Sequence, residues 1–319
     1  MLIVGEVHTG LLRGRDPVTG ETARDLVDLV AGERVLVSER PRSQVRSPAR
    51  PVGVDCPLGE PGEARQVRGV GTAMQRATIT DGHVVQGSAH ATLVQAAASS
   101  RRPWSHYLAR PGVIETIGRT KWSKLADAFA VAERDRASLD LGAIADWATG
   151  QVQRNVKQAG DARPAGGTRL RAARTRLRWT AQVEAGGSGP SGIHFGVHDE
   201  ELRLLRFTVG EAIPADRLAA VCADVALHDW LLTTVSDLVR RAAIGMIPRE
   251  QALPRLEPAV DYLLHLWLPG AHAGQFAEDL WQALERRAGF SRQWALLANR
   301  VRDQFAAGAA TALYAASRT

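Results

Sequence analysis

The sequence predicts an α+β fold, with a β-rich N-terminal half built around a hairpin-containing sheet and a mainly helical C-terminal part. Three observations carry this. Short β-branched runs separated by turn residues fill most of residues 2–94, and Asp81-Gly82 between two of them is the strongest short hairpin signal. From Leu218 onward, apolar residues recur at a helical period. The 319 residues are 45% apolar, enough to bury a sizeable core and to exclude a chain disordered throughout.

Leu2 to Val7 is short, apolar and β-branched, and reads as a first strand. Ala23, Leu26, Val27 and Val30 share one face of a short helix that Gly32 stops. Arg34 to Ser38 alternates like a strand. Pro41, Pro48, Pro51, Pro57 and Pro61 then predict a long Arg-rich loop without long regular structure. Ala77 to Thr80 and His83 to Gln86 form the hairpin arms, and Ala89 to Val94 continues as strand. Residues 101–118 combine aromatic, Arg, His, Glu and Pro side chains and read as the joint between the sheet and the helices. Helices are expected over Lys124 to Arg134 and Ile144 to Val156.

Residues 161–168 are small, polar and Gly/Pro-containing, and read as a linker between residues 1–160 and 169–319. Strands are expected at Leu177 to Val183, Ile193 to Val197 and Leu202 to Val209. If they complete the N-terminal sheet, that boundary is only nominal. Four helices end the chain. One carries Leu218 through Val239, and one opens with Pro258 in its first turn. A third carries Phe276, Leu280 and Leu284 with Gly289 as its stop, and a fourth is capped by Ser291.

Residues 1–180 hold 27 Lys and Arg against 18 Asp and Glu, and residues 181–319 hold 13 against 16. A basic half and an acidic half fit docking to an anionic partner or docking of the halves on each other. Arg and Ala use with few Lys is also a mark of a GC-rich genome. Two cysteines, Cys56 and Cys222, indicate neither a disulfide framework nor a four-thiolate metal site. The N-terminus lacks a signal pattern and no stretch approaches eighteen uninterrupted apolar residues, so a cytoplasmic location away from membranes is expected.

No complete catalytic, metal or nucleotide motif is present, and neither cofactor nor metal is expected. Gly187-Ser188-Gly189-Pro190-Ser191-Gly192 has dinucleotide-loop spacing. Ile193 to Val197 after it reads as a strand, however, rather than the helix whose N-terminus would hold a pyrophosphate. His194 and His198 would share a helix face as zinc ligands. On a strand they lie about 13 Å apart, too far for one ion. Arg169, Arg171, Arg174, Arg176 and Arg178 with Trp179 form a basic run in which three Arg share a strand face. It suits phosphates and a stacked base, or equally pairing with the acidic half. His90, His106, Tyr107, Arg110 and Glu115 supply acid, base and anion-binding groups if they converge. His228, His265 and His272 lie in or beside apolar helices and read as structural.

The runs Gly5-Glu6-Val7, Ser38-Glu39-Arg40-Pro41, Gly53-Val54-Asp55-Cys56-Pro57, Gln86-Gly87-Ser88-Ala89-His90 and Pro103 through Glu115 resemble a family of actinomycete proteins of unknown function. The resemblance spans nearly the whole chain. It implies a setting beside a variant P-loop protein and a methyltransferase, in a multi-protein system, and supplies no catalytic residues. The leading expectation is therefore a non-enzymatic accessory subunit with protein partners. The alternatives are an enzyme or ligand binder around His90, His106, Arg110 and Glu115, and a nucleic-acid binder through Arg169–Arg178.

Overall fold

The computed structural model describes Met1 to Arg318 apart from residues 14–16, 59–66, 132–138, 159–169, 185, 187–188, 211–212 and 271–273. Among these residues, ten strands make one mixed sheet: β1 (Leu2–Leu11), β2 (Leu36–Ser38), β3 (Gln44–Arg46), β4 (Arg50–Leu58), β5 (Val67–Thr80), β6 (Val84–Gln95), β7 (Val113–Ile117), β8 (Thr175–Val183), β9 (Ser191–Val197) and β10 (Leu202–Val209). They run across it in the order β2-β3-β5-β7-β6-β1-β8-β10-β9, with β4 on the same edge of β5 as β3. The helices are α1 (Gly20–Val27), α2 (Trp104–Leu108), α3 (Trp122–Val131), α4 (Leu141–Gln158), α5 (Ala215–Arg241), α6 (Arg249–Tyr262), α7 (Gln275–Arg287) and α8 (Phe290–Ala316). The fold is α+β.

Strand side chains alternate between faces, and both faces are covered. Leu2 and Val4 of β1 join Ala89, Ala91 and Leu93 of β6 in a core with Leu125 and Phe129 of α3 and Ala145 of α4. Ile3, Val7, Leu177, Trp179 and Ala181 point the other way, into a larger core with α5, α6, α7 and α8. Because β8 pairs with β1, the strands beyond residue 170 extend the same sheet.

The hairpin forms as expected. Asp81 (φ 49°) and Gly82 (φ 66°) both take left-handed backbone in a turn closed by His83 N–H on the Thr80 carbonyl at 3.1 Å, and the pairing of Thr80 with Val84 leaves a three-residue loop. β5 and β6 pair from Thr80↔Val84 to Met74↔His90 and then part. β7 fills the gap, antiparallel to β5 at residues 68–71 and parallel to β6 at residues 92–95. Residues 101–118 are thus more than a joint, for their second half is a strand inside the sheet. Gly71 lets it in: a Cβ there would sit 2.1 Å from the Val113 carbonyl oxygen.

Several expectations are corrected. The Pro-rich segment is not all loop, since β4 holds nine residues including Pro51 and Pro57. Among the described residues it pairs with β5 alone, and on such an edge a missing N–H need break no ladder bond. Pro258 does not open its helix. α6 begins at Arg249 after Pro248 and carries Pro254 and Pro258 inside it. Each interior Pro costs roughly 3 kcal/mol, offset by burial of Ala252, Leu256 and Ala259. Residues 264–266 then form a separate 3-10 turn rather than prolonging α6. Ser291 is not the cap of α8: Gly289, with φ 65°, takes that place. Ser291 instead donates its N–H and hydroxyl to the Glu285 carboxylate. The 161–168 segment and the end of the Lys124 to Arg134 helix lie outside the described residues.

α5 is long and apolar enough to cross a bilayer, but 83% of its apolar window is buried within this fold. Its length serves the core: Trp230, Leu227, Leu231 and Val235 are fully buried against the sheet and neighbouring helices.

Candidate functional site

A cleft opens between the α5 face of the sheet and α5 itself. Its walls are Gln44 and Arg46 of β3, Met74, Arg76 and Thr78 of β5, and Gln86, Ser88 and His90 of β6. Its roof is Ala219, Ala220, Ala223 and Asp224 of α5. The sheet supplies polar groups because Arg76 and Thr78, and Gln86, Ser88 and His90, fall at every second position and share a face. The helix supplies room, because three of its four lining residues are alanines. The interior offers about 40 Å³, and a water needs at least roughly 10–15 Å³, so it takes a compact group.

The cleft is electropositive. The Arg76 guanidinium has no hydrogen-bond or ion-pair partner among the described residues, and its Nε is buried. Among the described residues Arg46 donates to the amide oxygen of Gln44, at 2.6 Å. Burial, then the charges of Arg76 and Arg42, hold the Arg46 pKa below its ordinary value. At one end His90 Nε2 lies 3.1 Å from Asp216 of α5, which is mostly exposed. A hydrogen bond from His90 outweighs burial and holds the Asp216 carboxyl below its usual range. At the other end Asp224, fully buried, pairs with the buried Arg42, which also donates to the Leu266 carbonyl at 3.0 Å. Asp224 gives this pair only Oδ1; its Oδ2 accepts no hydrogen bond from the described residues. His228, one turn on, has its pKa lowered by burial; its Nδ1 lies 2.7 Å from the Asp224 carbonyl and its Nε2 accepts from Leu268 N–H.

The residues singled out from sequence divide. His106, Arg110 and Glu115 do meet: His106 Nε2 is 2.9 Å and Arg110 Nη1 2.8 Å from the same Glu115 oxygen. That clamp ties α2 to β7. Tyr107 is buried, and its hydroxyl accepts the Arg102 N–H at 3.0 Å. His90 does not join them. It lies opposite Met74 whereas Glu115 lies opposite Val70, four residues along β5, or about 13 Å.

The basic run is used internally on the opposite face of the sheet. Arg178, buried, donates to Glu6 at 2.9 Å and to the Phe129 carbonyl at 3.0 Å. Arg176 lies 3.7 Å from Glu6, and Arg174 is half exposed, 3.8 Å from Asp146. Trp179 is 1% exposed, against Gly5 and stacked on Phe207, so no ring face is left for a base. This corrects the stacking expectation: on a strand, Trp179 necessarily points away from its arginine neighbours. Arg171 offers its carbonyl to Arg241; Arg169 and His272 lie outside the described residues.

His194 lies on β9, so the strand geometry applies to the His194/His198 pair, and both are exposed. No helix follows Gly192, and residues 187–188 of that glycine run lie outside the described residues. His265 sits 2.6 Å from Asp81 on the rim of a second depression of about 450 Å³ between α1, the hairpin turn and α6. Among the described residues no three His, Cys, Asp or Glu are grouped to hold a metal ion.

Sequence reasoning missed Arg46, Arg76, Asp216 and Asp224. One signal was visible, the polar period of two along both hairpin arms. Asp224, a carboxylate on an otherwise apolar helix stripe, was another. Compared with protein-family models, curated proteins and solved structures, the chain matches none.

Proposed function

We propose that this chain is a binding protein that holds a small oxyanion in the cleft beneath α5. One observation carries the reading: Arg46 and Arg76, both half-buried, line a shared cavity, and among the described residues neither forms an ion pair within 4 Å, although Asp224 and Asp216 lie near enough for their charges to be felt. Two guanidinium forks present the donor geometry that carboxylates and phosphates take up. Inorganic phosphate, added at constant ionic strength, raises the melting temperature of the wild-type protein. The rise is lost in Arg76→Gln and Arg46→Gln, whose own folding survives because neither breaks an ion pair. No rise in the wild type, or an equal rise in both variants, sinks the reading.

A second reading, an accessory subunit with a protein partner, is favoured by the distal end of α8. There Leu313 and Tyr314 are 72% and 65% exposed, more than a solvated helix end needs. The two readings are compatible, since an anion-binding subunit can also dock on a partner.

A further inference from the structure

We propose that the outer face of α8 past Asp303 is a contact between two copies of this chain, laid against each other as antiparallel helices. The proposal rests on the second reading above, that this end of α8 docks on a protein, and it names that protein.

The face changes character along a single helix. On the first half of α8, Arg292, Arg300, Arg302 and Asp303 stand exposed, as suits a surface in water. From Gln304 to Ser317 no residue is charged. Yet Ala306, Ala309, Ala310 and every residue from Thr311 to Ser317 are exposed. A helix that is apolar on all sides is ordinarily buried. Within this stretch Ala306, Ala310, Leu313 and Ser317 follow one another at steps of four, three and four. That is the spacing of a seam between two paired helices. α6 does not cover it: Leu253 lies over Gly308, which is half-buried, while the four seam residues are exposed.

The residues on the seam fit a second copy. Leu313 is its one large side chain, and Ala310, one turn earlier, is its gap. When the second helix runs end for end about a two-fold axis beside Thr311 and Ala312, Leu313 of each copy falls on Ala310 of the other. Ala306 of each then falls beside Ser317 of the other. A two-fold contact demands this reciprocity, in which residue i meets j and j meets i. The uncharged stretch sets no like charges against one another. The small residues at 306, 309 and 310 let the two backbones come close. Residues 306–317 make about 18 Å of helix. A pair this short buries less than the roughly 800 Å² per partner of a standard complex, so the two copies associate reversibly.

The test is sedimentation equilibrium of the whole 319-residue chain. Its apparent mass is expected to climb from monomer toward dimer between about 1 and 500 µM. Ala310→Glu and Leu313→Lys should each weaken association at least about tenfold, while each melts within about 1–2 °C of the parent because both positions are exposed. Mixed in equal amounts, the two variants should associate again. The new acid of one copy then lies across from the new base of the other, and the remaining Leu313 to Ala310 contact is intact. A chain that stays monomeric at about 500 µM overturns the inference and leaves the end of α8 open to a different protein. A dimer that neither variant weakens overturns the inference and the docking role of α8 together, because its contact lies elsewhere. Variants that separate but do not recombine overturn the antiparallel register. Should either variant unfold, a chain truncated after Thr311 takes its place. Loss of the dimer there upholds the proposal and an unchanged dimer overturns it.

Discussion

Glu6 and His8 stand two positions apart on β1, which puts both side chains on the sheet face beneath α4. His8 bridges Asp146 at 2.7 Å and Glu6 at 2.9 Å, and Glu6 in turn holds Arg178. Burial alone would raise the Glu6 carboxyl, but the hydrogen bond from His8 and the charge of Arg178 outweigh it and bring it down to about 2. Burial alone would lower His8, but the bonds to Asp146 and Glu6 raise it above its ordinary value. The signs then differ. A carboxyl lowered on folding adds stability above its unfolded pKa of about 4.5 and loses it as the pH falls toward 2. A histidine raised on folding adds stability below its unfolded pKa of 6.5 and loses it as the pH climbs through the raised value. Glu6→Gln should cost about 3–5 kcal/mol near neutrality, as when one partner of a buried ion pair is removed. In urea denaturation from pH 3 to 9, the deficit of Glu6→Gln narrows toward the acid end and that of His8→Gln narrows toward the alkaline end. Deficits that stay flat across the range would contradict this assignment.

Elements show where backbone approach, rather than side-chain chemistry, sets the fold. Gly71 on β5 is overlain by β7, and a Cβ would collide with the Val113 carbonyl at 2.1 Å. Gly71→Ala should therefore destabilise by about 1–3 kcal/mol or more, as overpacking does. Gly20, in the first turn of α1, has nothing within 4 Å of its Cβ position. Gly20→Ala should instead stabilise by about 0.4–1 kcal/mol through the unfolded chain. Chemical denaturation of the pair checks both signs. The same contrast explains what was legible in the sequence. The Asp81-Gly82 hairpin announces itself because its turn demands two left-handed residues in a row. β4 and α6 do not, because Pro51, Pro57, Pro254 and Pro258 act as breakers in a generic strand or helix. Whether a Pro is tolerated depends on an edge position or on burial, which only the assembled fold decides. The cleft was legible in part, since Gln86, Ser88 and His90 alternate along one arm. Arg46 and Asp224 are 178 positions apart and carry no shared local mark.

At the scale of the molecule, a sheet covered on both faces leaves one helix end outside the packing. α8 is held by α6 as far as Thr311, through Arg249 and through Leu253 lying over Gly308. Beyond that point every described residue is exposed. A chain truncated after Thr311 should melt within about 1–2 °C of the full chain, since few buried contacts are lost. Loss of partner capture by that truncated but stable chain would support the accessory reading; a large fall in melting temperature would place the segment in the fold instead. The charge asymmetry between the halves also resolves at this scale. Arg42 meets Asp224 across it, while Arg178 meets Glu6 within the basic half, so these two buried arginines join layers of the fold.

The parting of β5 from β6 also imposes a schedule on synthesis. Both strands leave the ribosome before β7 does, so the hydrogen bonds that seal residues 68–71 and 92–95 await a segment that ends at Ile117. Until it arrives, the nascent sheet carries two open inner edges of the kind that invite pairing with other chains. The clamp of His106 and Arg110 on Glu115 joins the arriving strand to the helix made just before it. A cluster whose side chains suggest chemistry thus serves as the latch on an otherwise aggregation-prone seam.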